Sequence, residues 1–303
     1  MTQTLTSDYA GMNGSLPEAG WTESTRPING LDLHMVEAGE SGNPLLILLH
    51  GFPAFWWTWR NQITPLASAG FHVVVPDMRG YNLSAAPERA EDYTLDILAA
   101  DVVAIADAFG APCFNLVGHD WGSIIGWWVA ARYPERVNRT VQLAGLHPDI
   151  WATQQNLSII RRPDYVDFFQ LPWLPEISLS VFGFCGMKSL VKPSTLPDTF
   201  GPGELERYVE AWARPDSLKG MLNYYRAFRQ RKMPATPAPV LPPTLYLCGS
   251  RDVLLPPTVT GACMALCRDG KFERVEGASH WPHLDQPEYI TSKILSWLQP
   301  GMA

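Results

Sequence analysis

The stretch FNLVGHDWGSII (residues 114–125) decides the fold. It begins with a mostly apolar run typical of a strand buried on both faces of a parallel sheet, and it ends in a dense apolar pattern typical of a buried helix. Between them, Gly118-His-Asp120-Trp-Gly122 has the spacing of a nucleophile elbow, with Asp where Ser is usual. The two glycines let the chain fold closely on itself, and the following helix N-terminus favours negative charge. The sequence therefore predicts a carboxylate nucleophile at Asp120.

Strand and helix patterns alternate on both sides of this turn. Short apolar runs typical of buried strands are separated by longer segments with helical patterns. Such alternation predicts a doubly wound, mostly parallel α/β sheet. The predicted strands are Leu31–Glu37, Leu45–Leu49, His72–Pro76, Phe114–Gly118, Val137–Leu143, Thr244–Cys248 and Lys271–Val275.

The alternation stops between residues 148 and 238, where helical patterns and aromatic residues replace the strand runs. We therefore predict a core of residues 1–147 and 239–303, interrupted by an inserted helical cap over residues 148–238. The cap would leave the core at the carboxyl end of a strand, the edge at which such sheets bind ligands. Five prolines form the stiff connector at its end: Pro234, Pro237, Pro239, Pro242 and Pro243.

Composition excludes several function classes. Of the 303 residues, 46% are hydrophobic and 17% are charged, which excludes a disordered chain. A net charge of -7 without a basic run disfavours nucleic-acid binding, and no stretch approaches the ~18–20 uninterrupted apolar residues of a membrane span. Five cysteines without metal-type spacing predict reduced thiols, no metal and no organic cofactor. We expect a cytoplasmic monomer or homodimer without a secretory leader.

Two further polar residues follow predicted strands. Asp252 comes directly after the strand Thr244–Cys248, and His280 follows the strand Lys271–Val275. Because the carboxyl ends of parallel strands share one edge, we expect both side chains beside the nucleophile, with His280 as the base and Asp252 as its orienting acid. His283, three residues further from the strand, is the alternative base.

The chain resembles the α/β-hydrolase superfamily, and within it the epoxide hydrolase branch, over roughly residues 25–300. Four motifs carry the resemblance: HGFP (50–53), DMRGY (77–81), GHDWG (118–122) and SHWPH (279–283). The pair of HGFP and GHDWG is specific to members with an Asp nucleophile. The resemblance implies the α/β-hydrolase fold and an enzyme that uses water and no cofactor.

The resemblance also implies two cap tyrosines that help to open an epoxide ring. The segment Asp164–Pro172 is similar to the segment that carries the first tyrosine, which falls on Tyr165. The segment Leu222–Arg226 is similar to the one that carries the second, which falls on Tyr225, with Tyr224 as the alternative. A phenol can donate a proton to the alkoxide that an opening epoxide releases.

A carboxylate nucleophile suits attack on a saturated carbon, because it is ionised at neutral pH and needs no base. Attack by Asp120 would form an ester, which water activated by His280 would hydrolyse. The backbone N–H groups of Phe52 and Trp121 are the expected donors to the oxyanion of this second step. Pro53 would force the required turn and allows a cis Phe52–Pro53 bond.

The flanking loops are rich in aromatic residues. They predict a hydrophobic pocket for a small epoxide and water. The residues expected to line the pocket are His50, Pro53, Trp56, Phe168 and Trp173.

Two other functions remain open from the sequence. Haloalkane and haloacid dehalogenases use the same Asp nucleophile, but the former typically have a donor such as Asn where Phe52 stands. The haloacid type usually has Arg where Trp121 stands, to bind the substrate carboxylate. The second alternative is a hydrolase-fold module that binds an apolar ligand without turnover, although such a module would have no use for an ordered Asp–His–Asp set.

Overall fold

The computed structural model describes residues 18, 20–154, 165–231, 236–255 and 257–299. Its strands are β1 (Trp21–Ile28), β2 (Leu31–Ala38), β3 (Leu45–Leu49), β4 (His72–Pro76), β5 (Phe114–His119), β6 (Val137–Leu143), β7 (Thr244–Gly249) and β8 (Gly270–Val275). They form one eight-stranded sheet in the order β1-β2-β4-β3-β5-β6-β7-β8. The β1–β2 and β2–β4 pairs are antiparallel and the other five are parallel, which confirms the mostly parallel α/β sheet.

The burial of the strands explains which of them the sequence could predict. Every residue of β3 and β4 is buried, as expected for apolar runs in the middle of a parallel sheet. The outermost strand β1 was not predicted, because its polar sequence WTESTRPI carries no apolar pattern. A two-residue loop joins β1 to β2, and Asn29 and Gly30 both adopt the positive φ that such a tight hairpin requires.

Helices pack against the sheet as in other doubly wound folds. Those outside the insertion are α1 (Arg60–Ser68), α2 (Leu95–Ala108), α3 (Trp121–Arg132), α9 (Pro257–Met264), α10 (Pro282–Asp285) and α11 (Pro287–Leu298). α1 packs against α11, and α2 packs against α3. Ten residues of α3 are buried, which confirms the expectation of a helix enclosed on all sides.

The order of the strands creates a crevice beside the elbow. From β3 the chain moves to β4 on one side, and it later returns to β5 on the other side. The loops after β3 and β5 therefore diverge at this switch point, which is where ligands bind in open α/β sheets. Phe52 follows β3 and Asp120 follows β5, so the two residues lie on opposite sides of the crevice.

The described elements between β6 and residue 231 are all helical, as expected. They are α4 (Pro148–Gln154), α5 (Tyr165–Phe168), α6 (Leu174–Val191), α7 (Glu204–Trp212) and α8 (Ser217–Arg229). The first of them packs on the core, because Ile150 shares a buried cluster with Trp127 and Tyr246. The limits of the predicted cap, residues 148 and 238, remain a prediction.

A buried ion pair ties together the two ends of the insertion. Asp149 begins the insertion, and its Oδ1 lies 2.5 Å from Nη2 of Arg231, near the insertion's end. The Asp149 Oδ2 accepts a hydrogen bond of 2.8 Å from the N–H of Ala238. The Arg231 guanidinium also lies 4.6 Å above the ring of Trp128 on the core. These contacts fix where the insertion joins the sheet.

We predict that Asp149→Asn lowers the free energy of unfolding by about 2–3 kcal/mol, because Arg231 loses its partner in a site where its side chain is 14% exposed. Urea denaturation measures the change. The control is Asp107→Asn, which breaks a pair with Arg136 in which Asp107 is 62% exposed and should cost less than about 1 kcal/mol. Equal losses in the two variants would contradict a structural role for the buried pair.

Candidate active site

The elbow holds Asp120 in a strained backbone conformation. Its φ and ψ are 51° and -116°, which a residue with a side chain rarely adopts. A Cβ on Gly118 would lie 2.2 Å from the Gly122 oxygen, and a Cβ on Gly122 would lie 2.3 Å from the Leu49 oxygen. Both glycines are therefore required by close backbone approach. The turn presents the Asp120 side chain at the edge of the sheet, where it is 18% exposed.

The loop after β3 supplies a donor to this carboxylate. The N–H of Phe52 donates to Asp120 Oδ1 at 2.7 Å, and the Phe52–Pro53 bond is cis. Trp121 is the first residue of α3, so its N–H has no acceptor within the helix. The start of α3 carries a partial positive charge beside Asp120, and the Phe52 N–H approaches the same carboxylate from the other side of the crevice. This arrangement can stabilise negative charge that develops on the Asp120 oxygens.

His280 and Asp252 meet Asp120 at the same edge. His280 Nδ1 lies 2.8 Å from Asp252 Oδ2, and its Nε2 lies 3.4 Å from Asp120 Oδ2. Asp252 is held in turn by the N–H groups of Leu254 and Leu255, which donate to its Oδ1 at 2.7 and 3.1 Å. The imidazole is therefore oriented from behind by one carboxylate, while its other nitrogen faces the second carboxylate.

Burial and charge act in opposite directions on this set. Burial alone would lower the pKa of His280, but Asp252 and Asp120 outweigh it and raise the pKa to about 10. Burial alone would raise the pKa of Asp120, but His280 and the Phe52 N–H outweigh it and lower the pKa. The resting site is therefore an ion pair between an ionised Asp120 and a protonated His280.

The alternative base, His283, lies in a different environment. Its Nε2 lies 2.8 Å from the hydroxyl of Thr58, and its ring packs 4.6 Å from Trp59 and 4.4 Å from His119. Burial lowers its pKa well below the usual value, so it is neutral. The ring of His119 contacts the backbone of His280, with 2.9 Å between its Nε2 and the His280 oxygen. The two histidines thus pack behind the triad, and His280 alone of the three faces Asp120 in an ion pair.

Tyr165 and Tyr225 both line the cavity above Asp120. Their ring centroids are 6.1 Å apart, and the Trp121 ring packs edge-on against Tyr225 with 5.1 Å between the ring centroids. Burial, followed by neighbouring groups that include Asp120, raises the pKa of both phenols, so both remain protonated. Tyr224 faces elsewhere, because its hydroxyl donates to the Arg79 oxygen at 2.8 Å. Of the two residues left open by the sequence, the structure brings Tyr225 to the site.

The cavity is small and mostly apolar. The residues described around it enclose about 60 Å³, which accommodates a few water molecules or a small ligand. Besides Asp120, Trp121, His280 and the two tyrosines, its walls contain residues of α3, α4 and α5, of the loop after β6 and of the loop after Asp252. These additional residues are Ile124, Ala144, Gly145, Leu146, Trp151, Val166, Leu254 and Leu255.

The five residues predicted to line the pocket are absent from the described cavity wall. The Trp173 side chain is 66% exposed and lies away from the described cavity wall. Phe168 packs beside Phe169 instead of reaching the cavity. These residues were predicted because they lie close in sequence to the proposed catalytic segments. Whether a side chain lines the cavity depends instead on the direction in which it points.

The other three predicted pocket residues have structural contacts. His50 is fully buried and accepts the Met78 N–H at its Nε2, at 3.0 Å. Trp56 is 2% exposed and packs edge-on against Trp57. The backbone oxygen of Pro53 accepts a hydrogen bond of 2.6 Å from the Trp212 indole. These residues fix the shape of the loop after β3 and so position the Phe52 N–H.

The sequence did not predict the apolar residues that line the described cavity. Leu254 and Leu255 follow Asp252 by two and three residues, and their N–H groups donate to its Oδ1, so the turn that fixes Asp252 also turns these side chains towards the cavity. Two leucines in a loop after a proposed catalytic acid were the available signal. Trp151 had no such signal, since it reaches the cavity only through the packing of α4.

We predict that the His280 ion pair makes stability depend on pH. Its folded pKa, about 10, lies above the ordinary value of 6.5, so the stabilisation is complete below pH ~6.5 and is lost as pH rises through about 10. In urea denaturation, the difference between wild type and His280→Gln should shrink from pH 7 to pH 10. His283→Gln is the control, because a histidine that is neutral throughout this range should give a constant difference. A constant difference for both variants would contradict the ion pair.

Comparison with known proteins agrees with the observed fold. Residues 44–178 match the family model described as alpha/beta hydrolase fold. The chain is 35% identical over 273 residues to the AB hydrolase superfamily protein YfhM of Bacillus subtilis, covering 89% of this chain and 96% of the relative. It is 34% identical over 283 residues to epoxide hydrolase 4 of Homo sapiens, covering 89% and 76%.

Solved structures give the same result. An epoxide hydrolase from Vigna radiata has a TM-score of 0.79 and 28% identity, over 92% of this chain and 98% of that one. A Bacillus megaterium epoxide hydrolase in complex with an inhibitor has a TM-score of 0.80 and 27% identity, over 91% and 99%. The chain therefore belongs to the α/β-hydrolase family, in the branch that contains the epoxide hydrolases.

Proposed function

We propose that this protein hydrolyses small hydrophobic epoxides to vicinal diols, through an ester formed on Asp120. One observation carries the proposal: an ionised carboxylate, paired with His280, opens into an apolar cavity that also holds two protonated tyrosines. The named activity of its relatives and structural neighbours supports the same reaction. A Bacillus megaterium neighbour, 28% identical, was solved with its product, a naphthyloxy-propanediol.

In the first step, an Asp120 oxygen attacks one ring carbon, and the bond between that carbon and the epoxide oxygen breaks. The electron pair goes to the epoxide oxygen, which becomes an alkoxide and takes a proton from Tyr225 or Tyr165. Their raised pKa values suit this role, because a phenol that holds its proton tightly in the resting enzyme releases it only to a strong base.

Formation of the ester prepares the enzyme for the second step. The Asp120 charge disappears on alkylation, and with it one of the groups that raise the pKa of His280. The imidazole can then give its proton to the tyrosinate left by the first step and act as a base towards water, while Asp252 continues to orient it. Asp120 and His280 therefore form an ion pair in the resting enzyme, and His280 becomes the base once Asp120 is an ester.

In the second step, water gives a proton to His280 and its oxygen adds to the ester carbonyl of Asp120. The tetrahedral oxyanion receives hydrogen bonds from the N–H groups of Phe52 and Trp121. It collapses with cleavage of the bond between the acyl carbon and the diol oxygen, which takes the proton from His280. The remaining proton passes from the Asp120 carboxyl to His280 and restores the resting ion pair, so the net reaction is epoxide plus water to diol.

The cavity disfavours the alternative substrates. Its described lining residues include no Lys or Arg that could bind the carboxylate of an anionic haloacid. Phe52 contributes a backbone N–H but no side-chain donor for a halide ion. The two tyrosines would be superfluous for a halide, which leaves without a proton. We also propose, from the sequence alone, a cytoplasmic monomer or homodimer.

We predict that His280→Gln traps the ester. The variant should open the ring but fail to hydrolyse the intermediate, so incubation with styrene oxide should add the mass of one substrate to a peptide that contains Asp120. Intact-protein and peptide mass spectrometry measure the adduct. The double variant Asp120→Asn, His280→Gln should give no adduct, and an adduct at another residue would contradict the proposed nucleophile.

We predict that Tyr225→Phe lowers kcat/KM for an epoxide by about 10²-fold, because one proton donor to the alkoxide is lost. The neighbouring Tyr224→Phe is the matched control; it removes the hydrogen bond to Arg79 and should reduce stability while kcat/KM changes little. A chloroalkane assayed in parallel tests the alternative function. Equal losses for Tyr225→Phe and Tyr224→Phe, or faster turnover of the chloroalkane, would contradict the proposal.

A further inference from the structure

The insertion carries a concentrated exposed apolar surface. Among the residues that the structure describes, ten large apolar side chains are exposed, and six of them fall between positions 171 and 182. Monomeric soluble proteins rarely expose such contiguous apolar surface without a use for it. The six residues are Leu171 (44%), Trp173 (66%), Leu174 (40%), Ile177 (51%), Val181 (40%) and Phe182 (93%).

The backbone of α6 places an aromatic residue at the tip of this surface. The helix is broken at residues 181–184, where Phe182, Gly183 and Phe184 all have positive φ. Two non-glycine residues are thus held in a conformation that costs energy, and the result is a Phe182 side chain that is almost fully exposed. We call residues 171–192 the cap hairpin.

The cap hairpin is apolar enough for a lipid environment but too short to cross one. The window Leu174–Ser194 has a mean hydropathy of 1.2, yet only 22% of it is buried in the protein. By length and composition alone, this segment would suit a membrane-spanning helix. The break at residues 181–184 divides it into arms of roughly 10 Å each, against a hydrocarbon layer of about 30 Å. Such a segment can lie at a membrane surface and insert its tip.

The charge of the cap hairpin also favours a lipid surface. The sole acidic residue in the cap hairpin, Glu176, is neutralised by Arg226, with 2.8 Å between its Oε1 and the Arg226 Nη1. Lys188 is half-buried and Lys192 is exposed, so the hairpin presents net positive charge on a chain whose total is -7. Two copies paired through this face would bring their lysines together, whereas an anionic lipid surface would neutralise them.

We propose that the cap hairpin docks the protein on an anionic lipid surface, with Phe182 inserted among the headgroups and no segment of the hairpin spanning the bilayer. The sequence predicted no membrane contact, because the apolar residues are interrupted by Pro, Ser and Gly and form one surface only after folding.

The docking surface is connected to the catalytic cap residues. Arg226, which follows Tyr225, donates to the backbone oxygens of Phe169 and Leu171 at 3.0 and 2.9 Å. The start of the hairpin is thereby fixed to the helix that carries Tyr225. If the proposed function holds, this places an enzyme for apolar epoxides where such substrates concentrate, but lipid binding itself requires no catalytic activity.

Vesicle flotation with the full-length protein tests the proposal. Wild type should float with phosphatidylcholine vesicles that contain about 30% phosphatidylglycerol, and less with phosphatidylcholine alone. The variant Phe182→Asn, Ile177→Gln should reduce the partition coefficient by roughly tenfold or more; Asn is chosen because it tolerates positive φ. The control Phe272→Thr removes an exposed aromatic residue from β8 and should float as wild type does.

A fluorophore on Cys185 reports the contact directly, since this thiol is exposed on the hairpin and Cys185→Ser supplies the labelling background. Its emission should shift to the blue on addition of anionic vesicles. Absence of flotation, or equal flotation of the hairpin variant, would overturn the proposal. So would a wild-type dimer that the hairpin variant converts to monomer in sedimentation velocity. Epoxide turnover in vesicle-free buffer, measured alongside, separates failure of docking from failure of the proposed function.

Discussion

The ion pair between Asp120 and His280 is the interaction on which the rest of the site depends. A carboxylate with only 18% of its side chain exposed is stable as an anion because an imidazolium lies 3.4 Å away and a backbone N–H lies 2.7 Å away. The imidazolium depends in turn on Asp252 at 2.8 Å. Each charge is therefore compensated by the next.

The sheet provides the rigid frame that this set of charges requires. Phe52, Asp120, Asp252 and His280 follow four different strands, and parallel pairing brings the ends of those strands to one edge. Strain at Asp120 is sustained because β5 and α3 are held on both sides by fully buried neighbours. Close backbone approaches at Gly118 and Gly122 leave little freedom for the turn to relax.

The insertion contributes chemistry on its inner side and exposed apolar surface on its outer side. Tyr165 and Tyr225 face the cavity, whereas Trp173 and Phe182 face away from the protein. Arg226 links the two sides through hydrogen bonds to the segment between them. The ion pair of Asp149 and Arg231 fixes the insertion to the core, so the tyrosines are held at a defined height above the nucleophile.

The sequence by itself determined the parallel sheet, the elbow and the placement of Asp120, Asp252 and His280 after strands of that sheet, because these depend on local backbone geometry and on apolar runs within single strands. Tertiary structure alone decided between Tyr224 and Tyr225, since neighbouring residues on a helix point about 100° apart and the packing of α8 selects which one faces the cavity. It likewise separated His280 from His283 and placed Trp173 outside the pocket. Cavity walls form from side chains distant in sequence, and their directions are fixed only when the helices pack.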